Sequence, residues 1–225
     1  MQYVRAEAII LRRTQYGEAD RIVNLLTLQQ GRVAAIAKGV RRPKSKLAGG
    51  LELFAVCDVT LAEGRGELFL VTSARLVEFF GGILQDYDRL QLGYQVIKQI
   101  TQATQTVSEP EFYTLLKSTL GYLNKPGIDW HLTEVWFELQ LSQLLGEGLN
   151  VQTDAEGDLL NETGRYGFDF VGKTFFKDKN GQFSGDHIKL LRLALKTTPA
   201  VMSRVASATV DPARDLHIFV SANGV

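Results

Sequence analysis

The first 80 residues alternate between apolar and polar positions in a way that predicts β-strands. In the clearest example, the segment 51–61, every second residue from Leu51 to Leu61 is apolar, as expected for a strand with one buried face. Four further segments are short, apolar and separated by turn residues: 6–13, 20–28, 32–38 and 67–77. Because this spacing leaves no room for crossover helices, it predicts an antiparallel sheet closed into a five-stranded barrel of the OB type, with an SH3-like barrel as the alternative.

Beyond residue 80, apolar residues recur with the period of an α-helix. One helix is predicted over 86–103. A second follows Ser108-Glu109-Pro110-Glu111, which has the spacing of a capping box with a proline in the first turn. Asp129 is the predicted N-cap of a third helix, which ends at Gly146 and Gly148. We expect these three helices to form a bundle core.

The remaining residues add one insert and one more helix. Segment 149–185 is polar, with glycines and short apolar pieces, and predicts a small hairpin-like insert. A helical pattern returns over 187–196. The predicted fold class is therefore α+β, with an OB-type nucleic-acid-binding domain at 1–80 and a helical domain at 81–225 that carries the insert.

The composition is that of a globular protein, with 45% hydrophobic and 22% charged residues and a mean hydropathy of −0.04. No apolar stretch reaches the roughly 18 residues of a transmembrane helix, and the first residues, MQYVRAEAII, lack the pattern of a signal peptide. The single cysteine, Cys57, excludes an internal disulfide and a zinc site built from several cysteines. These features predict a soluble, cytoplasmic protein.

The formal net charge is zero, but the charges are unevenly distributed. Residues 1–80 contain 12 Lys and Arg against 8 Asp and Glu, whereas residues 81–225 contain 13 against 17. From Arg21 to Leu51 there are seven basic residues and no acidic one. Such a local excess of positive charge attracts phosphate even in a neutral chain, although a solvated loop of solubilising side chains has the same composition.

A catalytic centre is not recognisable in the sequence. There is no phosphate-binding loop of the GxxxxGK[ST] kind and no GxGxxG. The three histidines, His131, His187 and His217, are far apart and outside any metal-binding pattern. Cys57 falls on the inward face of a predicted strand, so we expect a buried structural thiol and not a nucleophile. These observations favour a binding protein over an enzyme.

Between Ala8 and Leu76 the sequence contains, in order, IILR, YGEADRIV, LLT…GRV, AKGVRRPKSKL, GGLELF and GRGEL. Several motifs in register over nearly 70 residues are much more specific than any one short pattern. Together they resemble the bacterial RecO family of recombination mediator proteins, and the helical segment is compatible with the C-terminal domain of that family.

The resemblance implies binding and annealing of single- and double-stranded DNA in association with the nucleoid, without a small-molecule substrate, nucleotide hydrolysis or a membrane. It also implies two protein partners, RecR and the C-terminal tail of single-strand-binding protein. With RecR, such proteins help to load RecA on coated single strands. Many members carry a four-cysteine zinc module, but the equivalent segment here, 149–185, has no cysteine. We therefore expect no metal or other cofactor, and a metal-free hairpin stabilised by Phe168, Phe170, Phe175 and Phe176.

Two sets of basic residues are the predicted binding sites. The DNA-binding set lies mainly between β-strands and consists of Lys38, Arg41, Arg42, Lys44 and Lys46, extended by Arg12, Arg13 and Arg65. The second set, at the rim of a groove for the acidic protein tail, consists of Lys189, Arg192 and Lys196. Three aromatic residues are available to stack on bases: Tyr16, Phe54 and Phe69. We expect core burial for each of them, with Phe54 as the better candidate for exposure.

Two other classes of function remain open from the residues. An OB-type RNA-binding protein would prefer RNA to single-stranded DNA. An enzyme with a dispersed active site, such as a nuclease, would degrade DNA in the presence of a divalent metal.

Overall fold

The computed structural model describes residues 3–64, 68–105, 107, 109–205 and 212–216. The chain divides into two compact units, Met1–Asn124 and Lys125–Val225. The predicted division at residue 80 marks the change from strands to helices, and as a domain boundary it stays a prediction. Among the described residues, no helix is long and apolar enough to cross a membrane.

The first unit contains a closed barrel of five strands. They are β1 (Tyr3–Tyr16), β2 (Asp20–Thr27), β3 (Gly31–Ala37), β4 (Ala55–Ala62) and β5 (Phe69–Phe79). The strand order is β1-β2-β3-β5-β4, with β4 paired back onto β1. All neighbours are antiparallel except β3 and β5, which run parallel. The α+β prediction is confirmed, and the five-stranded barrel is compatible with the OB type.

The barrel interior is filled by the side chains that alternate inward along each strand. Most of them are small or branched: Ala8, Ile10, Val23, Leu25, Ala35, Ala37, Cys57, Val59 and Leu61. Cys57 is buried, and its thiol donates to the Ala8 carbonyl at 3.4 Å. Burial, together with the nearby Asp58 and Glu7, raises the pKa of this thiol to about 12. The prediction of a buried structural cysteine is thereby confirmed.

The predicted strand 51–61 is too long at its beginning, because β4 starts only at Ala55. The reason is the backbone of Phe54, whose φ of 55° lies in the left-handed region and breaks the extended run. This turn brings the Phe54 ring into the core, where it is 1% exposed and contacts the Tyr94 ring edge-on at 5.1 Å.

Two helices complete the first unit, α1 (Tyr87–Ala103) and α2 (Pro110–Leu123). The first begins at Asp86, whose carboxylate accepts from the N–H groups of Asp88 and Arg89. The second has Glu109 as its N-cap, without a side-chain cap bond, and Pro110 at its start. The serine of the predicted capping box lies outside the described residues.

In its described residues, the second unit combines helices with a small sheet. The three longest described helices are α3 (Trp130–Leu144), α4 (Gly185–Lys196) and α5 (Pro199–Val205), and α3 packs against the other two. As predicted, Asp129 caps α3. The first three helices of the chain are thus divided between the two units, which corrects the prediction of a common bundle core.

The predicted insert is a three-stranded sheet rather than a single hairpin. Its strands are β6 (Arg165–Asp169), β7 (Thr174–Lys177) and β8 (Phe183–Ser184), in the order β7-β6-β8. Phe168 and Phe175 are buried as expected, with their rings 4.9 Å apart, and Phe183 joins them. The side chains of Phe170 and Phe176 are exposed. An aromatic cluster therefore forms the core of this small sheet.

Candidate nucleic-acid interface

The segment 38–46, here called the basic loop, leaves β3 in a series of turns that are fixed to the β1–β2 connection. The N–H of Arg41 donates to the Ala19 carbonyl at 2.9 Å, and the N–H of Gly39 donates to the Asp20 carboxylate at 2.7 Å. Gly39 has a φ of 65°, which a glycine adopts without strain. Val40 is 2% exposed and belongs to the barrel core. The backbone of the loop is therefore anchored.

The cationic side chains of the basic loop all point into solvent. The exposed residues are Lys38, Arg41, Arg42, Lys44 and Lys46. Within the part of the chain that the structure describes, none of these five forms an ion pair or a side-chain hydrogen bond. A fixed backbone with five uncompensated cations on flexible stems is an arrangement that can meet phosphate oxygens.

The two neighbouring arginines of β1 point in opposite directions. A register shift separates Ile10 from Arg12, after which Arg13 lies opposite the buried Val23. Arg13 accordingly turns towards the end of the barrel, where its guanidinium donates to the Glu52 carboxylate at 2.5 Å and to the Leu51 carbonyl at 3.3 Å. Arg12 is exposed on the outer face. The third predicted extension, Arg65, lies outside the described residues.

The three candidate aromatic residues differ in their exposure to solvent. Phe54 is buried as expected, and Phe69 is half-buried. Tyr16 is 54% exposed, so the expectation of core burial is wrong for this residue. The reason is its place as the last residue of β1, beside the turn into β2, where the strand ends and the side chain is open to solvent.

A groove on the barrel, with a volume of about 540 Å³, differs from the basic loop because it is lined by charges of both signs. It is lined by two arginines, Arg5 and Arg75, but also by the carboxylates of Glu7 and Asp58. The Arg75 guanidinium forms an ion pair with Asp58. The positive charge of Arg75 is therefore compensated within the barrel.

Sequence reasoning missed the residues that hold the basic loop in place. The carboxylate of Asp20 binds the Gly39 N–H, although in the sequence it stands beside Arg21 as an ordinary local ion-pair candidate. Val40 gave a usable signal, since it is a lone apolar residue in a basic segment. The carbonyl of Ala19 gave none, because a backbone acceptor has no residue type.

The three predicted rim residues of α4 differ in the partners of their side chains. The Lys189 ammonium lies 3.1 Å from Glu162 and 3.3 Å from Asp186. The Arg192 guanidinium donates to the carbonyls of Val151 and Leu160, both at 2.8 Å. Lys196 is exposed in the last turn. Arg192 therefore connects α4 to the segment that precedes the small sheet.

Within the described ranges, no cluster of three or more His, Cys, Asp or Glu side chains is placed to hold a metal ion. The Nδ1 of His187 accepts from the Ser184 N–H at 3.0 Å in a capping box at the start of α4, and its Nε2 lies 3.3 Å from the Asp215 carboxylate. The expected absence of zinc stays a prediction.

Comparison with known proteins identifies the family. Residues 1–80 match the model of the recombination protein O N-terminal domain, and residues 84–217 match that of its C-terminal domain. Together the two matches include the whole barrel and most of the second unit.

Three curated relatives are each described as DNA repair protein RecO. The one from a Nocardioides species is 43% identical over 112 residues, which cover 50% of this chain and 46% of the relative. That from Bifidobacterium longum is 39% identical over 128 residues, 56% of this chain and 53% of the relative. That from Rubrobacter xylanophilus is 32% identical over 168 residues, 74% of this chain and 67% of the relative.

The chain thus spans about half the length of the first two of these relatives. The domain order, barrel first and helices after, is the order of the two matched models. This protein belongs to the RecO family of DNA repair proteins.

Proposed function

We propose that this protein binds single- and double-stranded DNA through the basic loop and anneals complementary strands without nucleotide hydrolysis. The observation that carries the proposal is the anchored loop with five exposed, unpaired cations among the described residues. Membership of the RecO family supports DNA as the ligand.

The mechanism follows from the charge of the two strands. Their backbones repel each other, and Lys and Arg side chains lower that repulsion and release counterions. Contacts to phosphate do not read sequence and leave the base edges free, so two bound strands can still pair. The exposed guanidinium of Arg12 extends the surface along β1. Arg13 contributes less, because Glu52 already compensates its charge.

The proposal includes the partners that the family implies. With RecR, the protein would help to load RecA on single strands coated by single-strand-binding protein. The acidic tail of the latter would meet the cations of α4, Lys189, Arg192 and Lys196. Of these, Lys196 offers an exposed ammonium group without a partner among the described residues, whereas Lys189 would have to leave Glu162 and Asp186, and Arg192 two carbonyls.

A tail peptide titrated onto the protein tests the second site. Lys189→Ala with Lys196→Ala should weaken peptide binding, and the exposed Lys179→Ala should not. Unchanged affinity in the double variant would remove this site from the proposal. Arg192 is kept intact here because its loss would also disturb the fold.

Annealing of complementary strands without ATP tests the main function. Wild type should accelerate annealing, and the triple variant Arg41→Ala, Arg42→Ala, Lys44→Ala should lose roughly tenfold or more of that acceleration. A matched control removes three exposed cations elsewhere, Arg5→Ala, Lys98→Ala and Lys179→Ala, and should anneal like wild type.

Four outcomes would contradict the proposal. A wild type that does not anneal, or a triple variant equal to wild type, would exclude the basic loop as the annealing site. A clear preference for RNA over single-stranded DNA would favour an RNA-binding protein. Degradation of the strands in the presence of a divalent metal would favour a nuclease.

A further inference from the structure

Tyr16 is an aromatic residue that the fold does not use. Its side chain is 54% exposed. Within the described part of the chain it makes no side-chain hydrogen bond and no ring contact. Exposed aromatic residues are common and need no explanation by themselves, and Tyr3 at the other end of β1 is 61% exposed. The position of Tyr16 is what distinguishes it.

Tyr16 is adjacent to the first residues of the basic loop, where the loop leaves β3. It pairs across the β1–β2 hairpin with Asp20, and directly opposed residues of antiparallel strands have their Cα atoms about 5 Å apart. The carboxylate of Asp20 accepts the Gly39 N–H of the loop at 2.7 Å. The next hydrogen bond, from the Arg41 N–H to Ala19, joins the same two segments. The Tyr16 ring therefore stands where the loop with the five cations begins.

A second cation lies on the same face of β1. After the register shift, Arg12, Thr14 and Tyr16 occupy alternate positions and therefore share one face of the strand. All three are exposed. The ring is thus flanked by the Arg12 guanidinium along the strand and by the basic loop across the hairpin, so a strand held at both places by its phosphates would pass over the ring.

The chemistry of such an arrangement is specific to unpaired bases. OB barrels bind oligonucleotides with the β1–β2 connection among other elements, and aromatic side chains there stack on bases. A paired base is already stacked within the duplex and does not present its face to a side chain. A ring between two phosphate contacts consequently distinguishes single strands from duplexes, which the cations alone do not do.

We infer that Tyr16 is a stacking platform for one unpaired nucleobase at the edge of the basic loop. The inference rests on the proposed DNA-binding function and adds to it the part of the ligand that the cations do not contact. One base is held while its neighbours remain free to pair, and the held base leaves the ring when its own partner arrives.

Affinity for an oligothymidylate single strand and for a duplex of equal length tests the inference. Tyr16→Ala should weaken single-strand binding about five- to 100-fold, the range that corresponds to the loss of one base stack. Duplex affinity and the salt dependence of both should stay at the wild-type level, because no phosphate contact is lost. Tyr16→Phe and Tyr16→Trp should restore single-strand affinity, and Tyr16→Leu should not.

Tyr3→Ala is the matched control, since it removes an equally exposed tyrosine from the same strand. It should leave both affinities unchanged. Wild-type single-strand affinity in a folded Tyr16→Ala protein, or an equal loss for both substrates, would overturn the inference. The triple variant of the basic loop distinguishes a failure of the stacking inference from a failure of the proposed function. If the triple variant loses both substrates while Tyr16→Ala loses neither, only the stacking inference fails; if the triple variant keeps both, the basic loop itself is not the site.

Discussion

The basic loop and the second unit contain similar kinds of cations and use them in different ways. In the loop, each of the five ammonium and guanidinium groups is exposed without an ionic partner among the described residues. Several cations of the second unit, in contrast, have partners: the Lys173 ammonium lies 2.7 Å from Glu147, Lys177 pairs with Asp158, and Arg192 binds two carbonyls. A cation is available to a phosphate only where the tertiary structure has not already supplied a partner.

The difference in cation pairing depends partly on the sequence and partly on the tertiary structure. The loop lies between Arg21 and Leu51, a stretch without any carboxylate, so no local partner exists. In the second unit the partners come from afar: Lys173 and Glu147 are 26 residues apart, and Arg192 reaches Val151 over 41 residues. Local charge density therefore identified the loop correctly as exposed positive charge, whereas the α4 cations required the folded structure.

The largest expected effect tests the free cations. Changing Arg41, Arg42 and Lys44 together to Ala should lower the slope of log affinity against log salt by roughly 2 for a single strand, and by somewhat more for a duplex, because three phosphate contacts are lost. Affinity at low salt should fall by about 100-fold. A salt titration of both substrates measures the two quantities.

The stability of the same variant is the control for this measurement. Exposed, unpaired cations contribute little to folding, so the free energy of unfolding should change by less than about 0.5 kcal/mol. A large loss of stability would mean that the loop cations have structural partners, and the comparison with the second unit would then fail.

The second-largest effect is expected for Arg192, a cation whose hydrogen bonds stabilise the folded second unit. Arg192→Ala removes two hydrogen bonds from a charged donor to carbonyls of buried residues and should destabilise the second unit by about 2 kcal/mol. The only two tryptophans, Trp130 and Trp136, both lie in α3, so tryptophan fluorescence during urea unfolding reports on this unit. Wild-type stability with altered DNA binding would instead make Arg192 a ligand-binding residue.

The smallest effect concerns the ion pair of Lys117 with Glu7, one of several in the first unit. Glu7 accepts from the Lys117 ammonium and from the Tyr113 hydroxyl, both at 2.7 Å, which connects β1 to α2. These partners, Lys117 first, hold the pKa of Glu7 below its usual value of 4.5. Burial and the hydrogen bond to Glu7 raise the pKa of Tyr113, so the phenol remains the donor.

The sign of the pH dependence follows from the lowered pKa. A carboxylate with a depressed pKa stabilises the fold above the pKa of the unfolded chain, and this stability is lost as the pH falls through the folded value. Glu7→Gln should therefore cost about 0.5 to 1 kcal/mol at neutral pH, a modest amount because both members of the ion pair are partly exposed. The cost should shrink below pH 4.5. Urea unfolding followed by circular dichroism at several pH values measures it, and a cost that grows in acid would contradict the assignment.

Much of the fold was predictable because secondary structure leaves a local pattern. The period-two alternation of 51–61 and the helical period beyond residue 80 arise from which side of each element is buried. One strand was predicted too long, because the φ of 55° at Phe54 ends the extended run and no periodicity in the sequence indicates it.

For the candidate site, the sequence by itself determined the loop of five cations and the absence of carboxylates between Arg21 and Leu51. Only the tertiary structure decided that Arg12 faces outward while Arg13 binds Glu52, and that Arg192 is bound to carbonyls. It also placed the exposed Tyr16 beside the beginning of the basic loop. The physical reason is range: periodicity and charge density are properties of neighbouring residues, whereas the partner of a side chain is chosen by whichever distant segment the fold brings within hydrogen-bonding distance.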